Sequence, residues 1–437
     1  MAHWARDSVF YHIYPLGLCG APPVNDLVSE PCPRLETLHP WLEHARSLGA
    51  NALYLGPVFE SMTHGYDTVD YTRVDRRLGT NATLAAVTAR AHELGFHVIL
   101  DAVFNHVGRE FPAFRDLREK GRESAYVSWF AGVDFGKRSP RGDPFAYDTW
   151  KGFSELVKLD TRTPAVRDHL FSAVRRWRDE LGIDGLRLDA ADCLDKDFLR
   201  ALSSFCRGLS PDFWLMGEVV GGDYRGWTAP GLLDSVTNYE CYKGLYSSHV
   251  DGNYFEIAWS LNRQFGPDGI YRGLPLYAFA DNHDVNRVAS SLKDPRHLAP
   301  LYTILFTMPG VPSIYYGSEW GITGEKGRDD RALRPALDLT ATPAASPHRD
   351  LARLIARLAA IRQGSAALRT GDYAQLHVAS RQLAYLRRAE GETVVVAVNA
   401  DAKPSRLDLV LPGMAGGRAV DLLEEGRAFD VRAGRLV

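Results

Sequence analysis

The chain has 437 residues, 45% of them hydrophobic and 24% charged, with a formal net charge of -3. That near-neutral balance gives no electrostatic case for nucleic acid or an anionic membrane as partner. No apolar run approaches the ~18–20 residues that span a bilayer, so the expected location is cytoplasmic. The length exceeds one ordinary compact domain and suits a barrel with additions.

The opening run Val9-Phe10-Tyr11-His12-Ile13-Tyr14-Pro15-Leu16 could pass for a signal peptide's apolar stretch. It contains His12 and Pro15, and Asp7 stands where a basic flank belongs, so it reads as a strand. From there short β-rich runs alternate with longer amphipathic stretches, the pattern of βα units around a parallel sheet. The predicted strands are Val9–Tyr14, Ala52–Leu55, His97–Ala102, Gly185–Leu188, Trp214–Gly217, Ser235–Asn238, Leu276–Ala280 and Ser313–Tyr316. Eight is the number that closes a (β/α)8 (TIM) barrel of the α/β class. Helical periodicity lies between them: Leu84, Val87, Ala91 and Leu94 in 82–94, and Val166, Leu170, Val174, Trp177 and Leu181 in 164–181. Gly95 and Gly182 follow these runs, where a left-handed terminating residue belongs.

One interval breaks the rhythm. About 60 residues separate the third strand from the helix beginning at Pro164, too many for a structureless loop, so an inserted subdomain is expected at the barrel's C-terminal face. Beyond Arg362 the pattern becomes short strands, including a hairpin through Glu390-Gly391-Glu392, and predicts a C-terminal antiparallel β domain. The division is a barrel over 1–106 and 160–364, an insert over 107–159, and a β domain over 365–437. Cys19, Cys32, Cys193, Cys206 and Cys241 are scattered, without CxxC spacing, and read as buried free thiols in a reducing compartment.

Acidic residues and histidines collect at the strand ends: Asp101, Asn105 and His106 after the third, Arg187 and Asp189 at the fourth, Glu218 at the fifth, His283 and Asp284 at the seventh. Barrel enzymes keep their active sites on that face. Arg187 and Asp189 are two apart, so alternation points both the same way, and a carboxylate beside a guanidinium is expected to have a lowered pKa and to stay ionised. Three carboxyl groups from three strands suit retaining glycoside hydrolysis, where a nucleophile and an acid sit roughly 5–5.5 Å apart. Taken singly, an Asp at a strand end is more often the N-cap of the next helix. Their joint arrangement sets these residues apart.

The runs Asp101-Ala102-Val103-Phe104-Asn105-His106, Gly185-Leu186-Arg187-Leu188-Asp189-Ala190-Ala191, Met216-Gly217-Glu218 and Phe279-Ala280-Asp281-Asn282-His283-Asp284 resemble, in order, the four signature regions of the α-amylase family, glycoside hydrolase family 13. Val9–Pro15, Gly65–Tyr71 and Pro309–Gly317 are similar to the family's opening strand, second-loop motif and eighth strand. The resemblance implies that Asp189 forms the glycosyl ester, Glu218 protonates the leaving oxygen, and Asp284 grips the 2- and 3-hydroxyls. It places His106, Arg187 and His283 around the sugar at subsite −1, with Tyr66 stacked beneath it. Asp330 and Arg334 resemble a pair lining subsite −2; the alternative for them is an i,i+4 surface ion pair.

Val157-Lys158-Leu159-Asp160 and Asp234–Tyr239 are similar to the neopullulanase and cyclomaltodextrinase group. That group commonly carries an N-terminal β domain that helps build its dimer; here the first barrel strand begins near residue 9, so the domain is expected to be absent and a homodimer would use another surface. Asp192 and Cys193 stand where endo-acting amylases have Lys-His, and Val219, Val220, Gly221 and Gly222 replace an aromatic after the acid/base. These departures lie on the aglycone side. They fit α-1,6 as well as α-1,4 cleavage, or a small cyclic maltooligosaccharide such as cyclic maltosyl-maltose. Asn105 matches a structural-calcium position of many amylases, yet Asp134, Asp143 and Asp148 lack calcium-loop spacing; no metal and no cofactor is expected. The expected partner is an oligosaccharide substrate. The competing readings are a glucanotransferase sharing the first half-reaction and a non-catalytic amylase-like carbohydrate-binding protein.

Overall fold

The computed structural model describes residues 3–436; the outermost positions of the expected domain division, 1, 2 and 437, lie outside the described residues. Eight parallel strands form the barrel: β1 (Phe10–Ile13), β2 (Ala52–Leu55), β3 (His97–Ala102), β4 (Gly185–Leu188), β5 (Trp214–Gly217), β6 (Ser235–Val236), β7 (Tyr277–Phe279) and β8 (Val311–Tyr315). The sheet order is β6-β5-β4-β3-β2-β1-β8-β7. A parallel bridge between Thr237 and Tyr277 closes the ring, with the Asn238 N–H donating to the Tyr277 carbonyl at 2.8 Å.

The period-2 alternation of these strands divides the apolar residues between two cores. Phe10, Tyr54, Ile99, Trp214, Met216, Tyr277 and Phe279 pack together inside the barrel. Their strand neighbours Tyr11, Leu53, Leu55, Val98, Leu100, Leu186 and Leu215 pack outward against the helices. Gly185 is required where β4 passes Trp214, because a Cβ there would sit 2.4 Å from the Trp214 carbonyl oxygen. Trp4 seals the N-terminal mouth, stacked on His97 at 4.2 Å and edge-on to Trp214 at 5.8 Å.

The helix Asn81–Glu93 opens on a Thr80–Thr83 capping box, and Pro164–Leu181 opens on its proline. Gly95 and Gly182 end these helices with φ of 81° and 69°, as their positions after the periodic runs predict. Between β3 and Pro164 the chain builds a small antiparallel sheet from His106–Gly108, Thr149–Trp150 and Phe153–Lys158, with the helix Pro112–Lys120 beside it. Phe114, Phe130 and Phe145 are buried there.

Two antiparallel sheets follow the barrel: Asp372–Val378, Gln382–Ala389 and Glu392–Asn399, then Leu409–Val410, Gly416–Val420, Ala428–Arg432 and Arg435–Leu436. The hairpin turn falls at Glu390-Gly391, with Gly391 at φ 74°. The cysteines are free, but only Cys206 and Cys241 are buried; Cys19, Cys32 and Cys193 are half-buried, so the expectation of uniformly buried thiols holds for two of them. Cys193 lies in the turn after β4, on the rim that carries the acids. Among the described residues no helix is long and apolar enough to cross a membrane.

Candidate active site

Each acid stands just past the C-terminal end of its strand, held by a hydrogen bond that continues the barrel ladder. The Asp189 N–H donates to Ala102 O at 3.1 Å, and the Glu218 N–H donates to Leu188 O at 2.9 Å. Ala190, next in the chain, is left-handed with φ 44° and ψ 45°, a conformation costly for a residue with a Cβ. That turn aims its N–H at Glu218 Oε2, 3.1 Å away. Local strain after the fourth strand therefore helps set the fifth strand's acid.

Arg187 joins the carboxylates. Its Nη1 donates to Asp101 Oδ1 at 2.8 Å and to Asp189 Oδ1 at 2.9 Å, and its Nη2 lies 2.9 Å from Glu218 Oε1. The side chain is buried. Asp101 also accepts from the hydroxyls of Tyr54 at 2.7 Å and Tyr66 at 3.0 Å.

The opposite wall comes from the loop after β7. Asn282 Oδ1 accepts from the Asp284 N–H at 2.8 Å, while its amide nitrogen donates to the Tyr239 hydroxyl at 3.2 Å. His283 Nε2 lies 2.9 Å from Asp284 Oδ2 and also meets the Tyr66 hydroxyl, the two rings stacking at 5.5 Å. Arg334 Nη2 bridges Asp284 Oδ1 at 2.8 Å and Asp330 Oδ2 at 3.0 Å, and its Nε donates to His283 O at 2.9 Å. With only 9% of its side chain exposed, Arg334 does not belong to a surface i,i+4 pair; a 3-10 turn, Arg331–Leu333, separates it from Asp330 and turns it inward.

His106 begins the inserted sheet, paired with Lys158, so the insert positions it. Its buried Nε2 has no hydrogen-bond partner and stands 3.8 Å from Asp189 Oδ2. Burial draws its pKa down to about 3, leaving a neutral imidazole able to serve a sugar hydroxyl.

Electrostatics separate the carboxyl groups, though not as the Arg187–Asp189 spacing predicts. Asp189 is pushed above the ordinary carboxylate range, by burial first and then by Glu218, Asp101 and Asp284; Arg187 opposes this and does not prevail. The expectation of a lowered value fails because one guanidinium is divided among three carboxylates. Crowding by like charges in a dry site raises the cost of ionising Asp189. Asp284 goes the other way. Against the upward push of burial, His283, Arg334 and Arg187 hold it well below the usual range.

The structure thus brings together Tyr66, His106, Arg187, Asp189, Glu218, His283, Asp284, Asp330 and Arg334, every site residue expected from the sequence. It adds Asp101, Tyr239 and Asn282. Asp101 was visible as a strand-end acid, but only its barrel neighbour reveals its partner. Asn105 Oδ1 is buried without a partner, but Asp143 is bound by Arg109 at 2.7 Å and Asp134 by Lys137 at 3.1 Å. Among the described residues no group of three or more His, Cys, Asp or Glu could hold a metal ion. Asn105 Oδ1 is one oxygen of the ~6–8 that calcium takes.

Comparison with known proteins agrees with this geometry. The model of the α-amylase catalytic domain matches residues 35–357, and that of the maltogenic amylase C-terminal domain matches residues 373–436. A cyclomaltodextrinase from Bacillus sp is 32% identical over 95% of this chain and 76% of its own. Neopullulanase 2 from Thermoactinomyces vulgaris is 31% identical over 96% and 74%. Among solved structures, the cyclic α-maltosyl-(1→6)-maltose hydrolase from Arthrobacter globiformis superposes with a TM-score of 0.81 at 28% identity, covering 99% of this chain and 98% of that one. The chain belongs to the α-amylase family of glycoside hydrolases, family 13, and within it is similar to the cyclomaltodextrinases and maltogenic amylases.

Proposed function

We propose that this chain is a retaining hydrolase of small linear or cyclic maltooligosaccharides, cleaving α-1,4 and also α-1,6 glucosidic bonds, with cyclic maltosyl-maltose as a favoured substrate. The observation that carries the reaction is the shared guanidinium. Asp189 and Glu218 reach Arg187 from adjacent strands, which brings the two carboxyl groups together on one guanidinium. In the first step Asp189 attacks the anomeric carbon as the glycosidic C–O bond breaks, and the proton on Glu218 passes to the leaving oxygen. Water then attacks the glycosyl ester, Glu218 takes its proton, and Asp189 leaves as carboxylate. Asp284, ionised throughout, accepts hydrogen bonds from the sugar hydroxyls. Tyr66, His106, Arg187 and His283 surround the same sugar, and Asp330 and Arg334 border the next one outward.

The aglycone side supports the choice of a small or branched substrate. Asp192 is exposed, Cys193 is half-buried, and Gly221 leaves open space where a side chain would stand. We assign the catalytic barrel to 1–106 and 160–364, the insert to 107–159 and the β domain to 365–437. The free thiols support a cytoplasmic location.

The test is a substrate panel of cyclodextrins, cyclic maltosyl-maltose, pullulan, maltooligosaccharides and starch, followed by proton NMR of the first product. Release of α-anomers with the highest kcat/KM on small or cyclic substrates is expected. β-Anomers would overturn the retaining mechanism. Longer or rearranged sugars from concentrated maltotriose would replace hydrolysis by transfer.

A further inference from the structure

The helices Tyr239–Asp251 and Phe255–Phe265 pack side by side next to the loop that follows Glu218. Between them and that loop runs a groove of about 680 Å³, bordered by Val220, Gly221, Tyr239, Glu240, Phe255 and Trp259. This volume lies within the ~300–1,000 Å³ of ligand pockets. Three apolar side chains face solvent along it: Trp259 is 61% exposed, Val220 51% and Phe255 50%. Arg263 braces the Trp259 ring at 5.5 Å and is itself ion-paired with Glu240.

Two further observations tell which occupant this groove fits. Glu240 Oε1 is buried and has no hydrogen-bond partner, so the wall holds a free acceptor beside the aromatic platform. The groove also adjoins the residues of the site. Tyr239 lines it and accepts from Asn282 at 3.2 Å, next to His283 and Asp284, while Val220 follows Glu218 by two positions. Residues just after the acid that protonates the leaving oxygen face the leaving side of the substrate. An apolar ring beside an acceptor is the combination that recognises a sugar's apolar face and hydroxyl edge.

We infer that this groove binds distal glucosyl residues on the aglycone side of an α-glucan, with Trp259 as the stacking platform and Glu240 Oε1 accepting a sugar hydroxyl. The inference rests on the proposed glucan substrate and deepens it. It also explains the absence of an aromatic among Val219–Gly222: the ring is supplied from a separate helix, and the small loop leaves the path to it open.

Two variants test it. Trp259→Ala removes the platform. Gly221→Trp fills the path from a position where an added Cβ meets nothing within 4 Å, and its melting temperature, compared with wild type, checks that the fold is kept. In each, the kcat/KM of maltohexaose relative to maltotriose should fall about tenfold, a loss of ~1.4 kcal/mol in transition-state binding. Calorimetry on Asp189→Asn, with and without Trp259→Ala, should show weaker maltohexaose binding in the double variant. Unchanged ratios and unchanged affinity would overturn the inference. So would a dimer that dissociates in Trp259→Ala while the ratio stays fixed, since the face would then belong to a second copy. If the wild type cleaves no maltooligosaccharide yet Asp189→Asn binds maltohexaose through Trp259, the proposed reaction fails and the groove stands.

Discussion

Arg187 and Asp101 are joined by two hydrogen bonds from one nitrogen: Nη1 donates to Oδ1 at 2.8 Å and to Oδ2 at 3.1 Å. Asp101 makes no hydrogen bond to Asp189 or Glu218, yet it fixes the guanidinium that holds both. Asp101 is itself held by the Tyr54 and Tyr66 hydroxyls, so the guanidinium is anchored to a carboxylate that cannot drift without breaking both.

The first prediction concerns this anchor. Asp101→Asn keeps the shape but weakens the ion pair, so Arg187 shifts toward the reacting acids and misplaces them. A displacement of that size costs about 10²-fold in rate. The expected result is a kcat reduced by that factor with a melting temperature within a few degrees of wild type. A wild-type kcat in a folded Asp101→Asn protein would remove Asp101 from the positioning machinery.

A second prediction separates the two acids by leaving group. General-acid assistance contributes about 10²–10⁴-fold when the leaving group is a sugar. Glu218→Gln should lose that factor on maltotriose and far less on α-glucosyl fluoride, whose leaving group needs no proton. Asp189→Asn should lose activity on both. Equal losses in Glu218→Gln on the two substrates would exclude it as the proton donor.

Much of this arrangement is legible in the sequence, for a physical reason. Barrel strands buried on both faces read as apolar runs, and the two-residue spacing of Arg187 and Asp189 carries directional information because strand side chains alternate. Neighbours across the sheet carry no such mark: Asp101 and Arg187 are 86 positions apart and meet only because β3 and β4 pair. The same blindness explains the misjudged Asp189 ionisation, since a two-residue reading sees one cation and one anion where the barrel assembles one cation and three anions. The Trp259 groove likewise depends on how two helices lie together.

The raised Asp189 gives a third prediction, on stability against pH. A carboxyl whose folded pKa exceeds its unfolded value contributes stability at low pH and loses it as pH rises through the folded value. Asp189 therefore burdens the fold at neutral pH, by burial above all. Asp189→Asn should melt higher than wild type at pH 7, and the two curves should converge near pH 4. A lower melting temperature for the variant at pH 7 would mean that Asp189 is stabilised by Arg187 after all.

Asp284 supplies the opposite case. His283, Arg334 and Arg187 hold it ionised against burial, so it remains charged down through the acid range. Replacing Arg334 with Met removes one of those cations and lets burial lift the carboxyl. The acid limb of the kcat/KM profile should move to higher pH in Arg334→Met, whereas Arg334→Lys, which keeps the charge, should move it less. Identical acid limbs in the wild type and both variants would show that Asp284 does not govern that limb.

The last prediction concerns how the barrel is fastened to the β domain. The helix Leu298–Thr307 ends with carbonyls that have no partner in the helix. Arg362 Nη1 donates to Phe306 O at 3.1 Å and Leu368 O at 3.0 Å, and Arg387 donates to Thr307 O at 2.6 Å and Gly371 O at 2.9 Å. Both guanidinium groups are buried among carbonyls; burial, with the neighbouring Arg387, brings Arg362 down to about 9. Two like charges are tolerated there because together they satisfy acceptors from the barrel helix and from the chain entering the β domain. Arg362→Ala leaves those carbonyls buried and unpaired, which costs about 3 kcal/mol, and Arg362→Lys should recover part of the loss. Thermal unfolding measures the difference, and kcat at low temperature should be preserved because the site lies at the other end of the barrel. An Arg362→Ala protein as stable as wild type would show that water replaces the guanidinium and that the remaining contacts, Arg387 to Thr307 O among them, hold the two domains.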